Sequence, residues 1–153
     1  MSRLSELVLR SIMRSSVHVD RIYSKNEPPP NWWTELEEIS PSGVDFIPWM
    51  SGSVLARLRS RINHQNYLYA AVTIDTVYAS DEQAANQTEP PEDLEEWVLV
   101  QATDEERKAF VRRAVRDAFP TLRAELLAAT TMPGIPGVLL DESHVAVGPS
   151  ERL

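Results

Sequence analysis

From Thr103 to about residue 130 the chain holds one pattern without a gap. Phe110, Ala114, Ala118, Leu122 and Leu126 recur every four residues, flanked by Val111, Val115 and Phe119. Four-residue spacing puts side chains on one side of an α-helix, and the flanking residues widen that side into a broad apolar face. Thr103, followed by Asp104, Glu105 and Glu106, supplies an N-cap and negative charge in the first turn, where the backbone dipole favours it. The spacing predicts a helix over 104–130, ended by Met132, Pro133, Gly134, Ile135, Pro136 and Gly137. Pro120 lies inside it without an amide hydrogen for the Arg116 carbonyl, and is expected to kink or break the helix there. At least one side of so apolar a helix must pack on another layer.

The remaining pattern is that of strands. Val17, Val19, Ile22 and Tyr23 predict a strand over 16–24, stopped by Pro28, Pro29 and Pro30. Over 54–62, Val54, Ala56, Leu58 and Ile62 alternate with Arg57, Arg59 and Arg61, as in a half-buried strand, although Leu55, Leu58 and Ile62 also suit a helix. A polar turn at His64, Gln65 and Asn66 leads into 67–79, rich in Val, Ile, Thr and Tyr, so the two segments read as an antiparallel hairpin. A fourth strand is expected over 97–100. Ahead of them all, Leu4, Leu7, Val8 and Ile12, widened by Leu9 and Met13, predict a short amphipathic helix over 3–14. The fold class is α+β: a four-stranded antiparallel sheet, a long C-terminal helix kinked at a proline, and a short N-terminal helix.

Residues 27–52 hold five of the 11 prolines yet also Trp32, Trp33, Phe46, Trp49 and Met50. Three of the four Trp are a heavy apolar load for a disordered linker, so this stretch reads as an ordered, extended crossover. With 153 residues, the chain is expected to form one domain over 1–140 with a surface tail over 141–153.

Charge and composition exclude several function classes. A net charge of −8 argues against binding a phosphate backbone, and the lack of Cys rules out disulfides and thiolate metal sites. Arg3, Glu6, Arg10 and Arg14 interrupt the N-terminal apolar residues, unlike a signal peptide, and no stretch approaches the roughly 20 apolar residues of a membrane span. Cytoplasmic residence is the resulting expectation. His18, His64 and His144 are far apart and form no metal-ligand spacing, and neither a nucleophile elbow nor a Gly-rich phosphate loop is present. No catalytic residue, metal or cofactor is expected.

Two segments carry a family resemblance. Ala118-Phe119-Pro120-Thr121-Leu122-Arg123-Ala124-Glu125 resembles the Phe-Pro-Tyr-Ala-Arg-Glu helix motif of SecB export chaperones, with Phe119 and Pro120 matched. Gly134-Ile135-Pro136-Gly137-Val138-Leu139-Leu140 resembles that family's Gly-Phe-Pro-x-Leu-x-Leu segment. Thr121 replaces the motif's aromatic and Arg123 is displaced from the motif's Arg. The resemblance implies a SecB-like fold and a holdase, closest to divergent members that accompany toxin–antitoxin systems. It also implies a homotetramer, built as a dimer of dimers through the first strand and the long helix. No second C-terminal helix or SecA-contacting tail is recognisable, which argues against direct docking to SecA.

A holdase needs an extended apolar surface with little shape specificity, which large rings and Met provide. The client-binding residues implied are Trp32, Trp33, Phe46, Trp49 and Met50, unless these rings only pin the crossover to the sheet as core. The implied oligomer interface is Phe110, Ala114, Val115, Ala118 and Leu122, against the alternative that they pack on the chain's own sheet. The expected partners are non-native polypeptides from export or an antitoxin, with neither nucleic acid nor membrane. The competing reading is a non-enzymatic structural or adaptor protein of a phage or secretion system, docking one fixed partner through its aromatic crossover. A small-molecule-binding domain is a third reading.

Overall fold

The computed structural model describes residues 3–21, 38–48, 52–64, 68–81, 97–131 and 137–140. The chain opens with one 3-10 turn over Leu4–Glu6, in which the Glu6 carboxylate accepts from the Arg3 amide at 2.9 Å. Leu4 and Leu7 are both buried, at the three-residue spacing that such a turn aligns. The helix expected over 3–14 goes no further. Strand β1 spans Val8–Arg21, starting eight residues before the strand expected from Ser16 onward. The apolar residues here fit either period. A twelve-residue helix is marginal by itself, whereas Val8, Ile12, Val17 and Val19 are β-branched and gain a full ladder by pairing.

Strands β2, β3 and β4 span Glu38–Pro48, Ser53–His64 and Leu68–Ala79. They form an antiparallel sheet in the order β1-β4-β3-β2. The hairpin expected over 54–79 is β3 and β4, so the alternation of 54–62 is that of a strand and the helical alternative falls. The crossover expected over 27–52 contains β2, paired with β3 from Glu38 to Pro48. Its ladder shifts register between Ser40 and Gly43, beside Pro41, which has no amide hydrogen to give a neighbour.

The fourth strand expected over 97–100 is instead the short helix α1, Val98–Gln101, with Trp97 at its N-cap. The Trp97 indole N–H donates to the Ser53 carbonyl at 2.9 Å, and Val98 and Leu99 are buried. The Arg107 guanidinium donates to the carbonyls of Leu99, Val100 and Ala102, the orphan acceptors at the end of this turn. A four-residue apolar run has no period of its own, and these contacts from distant residues decide its form.

Helix α2 spans Asp104–Thr130, as the spacing predicts. The Thr103 hydroxyl accepts from the Glu106 amide at 3.2 Å and the Glu106 carboxylate accepts from the Thr103 amide at 2.8 Å, a reciprocal capping box. Pro120 does not break the helix. It is exposed, so the Arg116 carbonyl that lacks an intrahelical partner is open to water. Past the helix, the Val138 amide donates to the Thr130 hydroxyl at 2.8 Å, and Val138 and Leu140 are buried.

The core lies between α2 and one face of the sheet. Val54, Ala56, Leu58 and Ile62 of β3, with Ala70, Val72, Ile74 and Tyr78 of β4, meet Phe110, Ala114, Ala118, Leu122 and Leu126 of α2. On the opposite face Arg57 grips Asp75 through two hydrogen bonds of 2.8 and 3.0 Å. That grip holds the Arg57 guanidinium more firmly ionised, raising its pKa chiefly through the hydrogen bond to Asp75. Among the described residues no helix is long and apolar enough to cross a membrane.

Candidate functional site

Of the five aromatic and Met residues expected to hold clients, Phe46 lies within the described residues. Trp32, Trp33, Trp49 and Met50 lie outside them. Phe46 is on β2, half-buried, and packs against the core from its margin. Its ring centroid is 5.7 Å from that of Phe110, which in turn meets Tyr78 edge-on at 4.8 Å. The Arg113 guanidinium stands 4.9 Å above the Tyr78 ring, and the Tyr78 hydroxyl donates to Asp117 at 2.9 Å. These contacts form an aromatic line across the helix side of the sheet, sealed at one end by charge and half open at Phe46. Burial of Tyr78 is the main reason its hydroxyl titrates well above the ordinary tyrosine range.

The five residues expected at a subunit interface are placed inside the chain's own core. Phe110, Ala114, Val115, Ala118 and Leu122 are each no more than 9% exposed. Their small and large side chains alternate against the sheet, which is the ordinary packing weighed as the alternative for them. The side of α2 left for other contacts is the opposite one.

Exposed apolar residues gather where the sequence did not place a site. Val8 and Met13 are each 48% exposed and Ile12 39%, all on β1. This strand is an edge of the described sheet, so one row of its backbone amides and carbonyls has no strand to pair with there. Unlike β2 it contains no proline, although its ladder shifts register twice, between Leu9 and Ser11 and between Arg14 and Ser16. Reading 3–14 as a helix hid this edge. The signal that reveals it is the recurrence of β-branched Val8, Ile12, Val17 and Val19 and of Ser11, Ser15 and Ser16 through a stretch with no Gly or Pro.

Among the described residues, the groups able to do chemistry at His18, Thr103 and Glu106 have partners of their own. His18 is exposed, 2.8 Å from Asp20 and edge-on to Tyr69 at 5.9 Å. The His64 side chain and His144 lie outside the described residues. A cleft of about 390 Å³ opens between the first turn, α1 and the start of α2, lined by Leu4, Val98, Gln101 and Ala102. Its polar wall is Thr103 and Glu106, which are already bonded to each other's amides.

No protein-family model matches this chain, and no curated protein matches it. Among solved structures it is similar to the Rv1957 SecB-like chaperone of Mycobacterium tuberculosis, in complex with a ChAD peptide from the Rv1956 HigA1 antitoxin. The two share 16% identity over 90% of each chain, with a TM-score of 0.53. The fold is therefore SecB-like: a four-stranded antiparallel sheet under one long helix, led by a 3-10 turn.

Proposed function

Taking the SecB-like fold as premise, we propose that this protein is a cytoplasmic chaperone that holds non-native polypeptides without catalysing a reaction. The observation that carries the reading is the correspondence over nine-tenths of both chains with a SecB-like chaperone that binds a peptide of an antitoxin. Clients bury apolar side chains against Trp32, Trp33, Phe46, Trp49 and Met50, and release follows folding or hand-off. The half-buried Phe46, anchored on Phe110 with one side open, supports this use of the crossover. An antitoxin is favoured over export clients. The particle is a homotetramer, and the β1 edge with exposed Val8, Ile12 and Met13 supports pairing between copies.

The test is suppression of light scattering when a chemically denatured reporter protein is diluted into buffer. The full chain is expected to suppress it at equimolar amounts, and the variant carrying Trp32→Ala, Trp33→Ala and Trp49→Ala to lose most of that protection. No protection by either protein would sink the holdase reading and favour an adaptor with one fixed partner.

A further inference from the structure

The cleft of about 390 Å³ at the head of α2 holds two opposite charges that do not meet. Its floor is apolar and formed by Leu4, Val98 and Ala102, all of them buried. Its rim carries Arg3, beside the first turn of the chain, and Glu106 of the first turn of α2. Among the described residues these two form no ion pair with each other, and neither forms one elsewhere. The Glu106 carboxylate accepts from the Thr103 amide through Oε2, which leaves Oε1 without a partner among the same residues. Asp104 and Glu105 do not line the cleft, and Asp104 meets Arg107 at 3.1 Å. The helix end itself does not select an anion. Thr103 caps it, and three carboxylates in the first turn outweigh a dipole charge of about half a unit. An ammonium therefore suits the Glu106 side of the rim, and a carboxylate the Arg3 side.

We propose that this cleft binds a free α-amino acid with an apolar side chain, its ammonium on Glu106, its carboxylate on Arg3 and its side chain on Leu4, Val98 and Ala102. The volume agrees with such an occupant. Ligand clefts run from roughly 300 to 1,000 Å³, and this one lies near the lower limit, where a molecule of amino-acid size belongs. A segment inside a polypeptide is a poorer occupant, because its amide nitrogen and carbonyl carry no charge for either rim group. Among the described residues, none that lines the cleft belongs to the crossover or to β1. Client holding and this binding are independent of each other.

L-Leucine is titrated into the full chain by isothermal titration calorimetry. Saturable binding of one molecule per chain is expected. Glycine, with no side chain for the floor, is expected not to bind detectably. Arg3→Gln and Glu106→Gln should each weaken L-leucine about tenfold, the loss of one charge-assisted contact. Arg3 is exposed, and Glu106→Gln keeps a side-chain oxygen for the Thr103 amide, so both variants retain the fold. N-acetyl-L-leucine, which has no ammonium, should bind the wild type about as weakly as L-leucine binds Glu106→Gln, and should lose nothing further in that variant. Arg61→Gln, exposed on the outer side of the sheet, should change nothing. Absence of saturable binding by L-leucine and L-phenylalanine alike overturns the proposal. So does unchanged affinity in either rim variant, since both charges are assigned a contact. Tighter binding of N-acetyl-L-leucine amide than of L-leucine overturns it as well, and makes the cleft a seat for a polypeptide segment. None of these results touches suppression of aggregation, so the amino-acid site and the holdase reading fail separately.

Discussion

Tyr78 concentrates several roles in one side chain. It is fully buried, closes on Phe110, lies under Arg113 and donates to Asp117. Its titration is raised in the folded protein, so the unfolded chain loses this proton first as pH rises. The contribution to stability is whole below the unfolded tyrosine pKa of about 10 and falls as pH climbs beyond it. Urea midpoints at pH 8 and at pH 10.5 should therefore drop more steeply for the wild type than for Tyr78→Phe. An equal drop in both would remove Tyr78 as the cause. Nothing in the sequence marks this tyrosine apart from Tyr69, because its buried partners come from a helix 32 to 39 residues away. Phe46 was legible as an aromatic in an otherwise proline-rich stretch. Its half-exposed position was not, since that depends on Phe110 arriving from α2.

Among the elements, α2 was legible to the residue and α1 not at all. The difference is in where the information resides. Thr103, the three acids after it and the four-residue apolar repeat are all local to the helix they specify. The turn at Val98–Gln101 depends on Ser53 of β3 and on Arg107 of the next helix, neither visible from four apolar residues. The start of β1 failed for a related reason, since its pairing with β4, Val8 opposite Ala79, is a contact across about seventy residues of sequence. The cap makes a direct prediction. Thr103→Ala should lower stability by about 1 kcal/mol, read as a shift in urea midpoint without change of slope. Thr103→Asp, which retains an acceptor, should keep most of it. If Ala costs nothing, the reciprocal bonds with Glu106 are not what starts the helix.

At the scale of the whole molecule, the two margins of the described sheet differ. At the β1 margin apolar side chains are exposed and the strand contains no proline; at the β2 margin Pro41 and Pro48 interrupt the row of donors. If copies pair through β1, Ile12→Lys with Met13→Lys sets like charges across the contact and should lower the particle mass measured by light scattering. A wild-type mass equal to one chain at all concentrations would refute assembly through this edge. The motif at Phe119 and Pro120 was read from sequence, and the matching fold across 90% of a SecB-like chaperone agrees with it.

The unlike margins bear on how far such a sheet can be extended. Repetitive growth needs each added molecule to present a fresh edge equivalent to the one just consumed. Here a copy that joins through β1 turns outward only its β2 side, where proline leaves gaps in the hydrogen-bonding template. Sheet extension is then self-terminating: it stops at two copies, which leaves the exposed β1 edge no ready route to seeding a fibre.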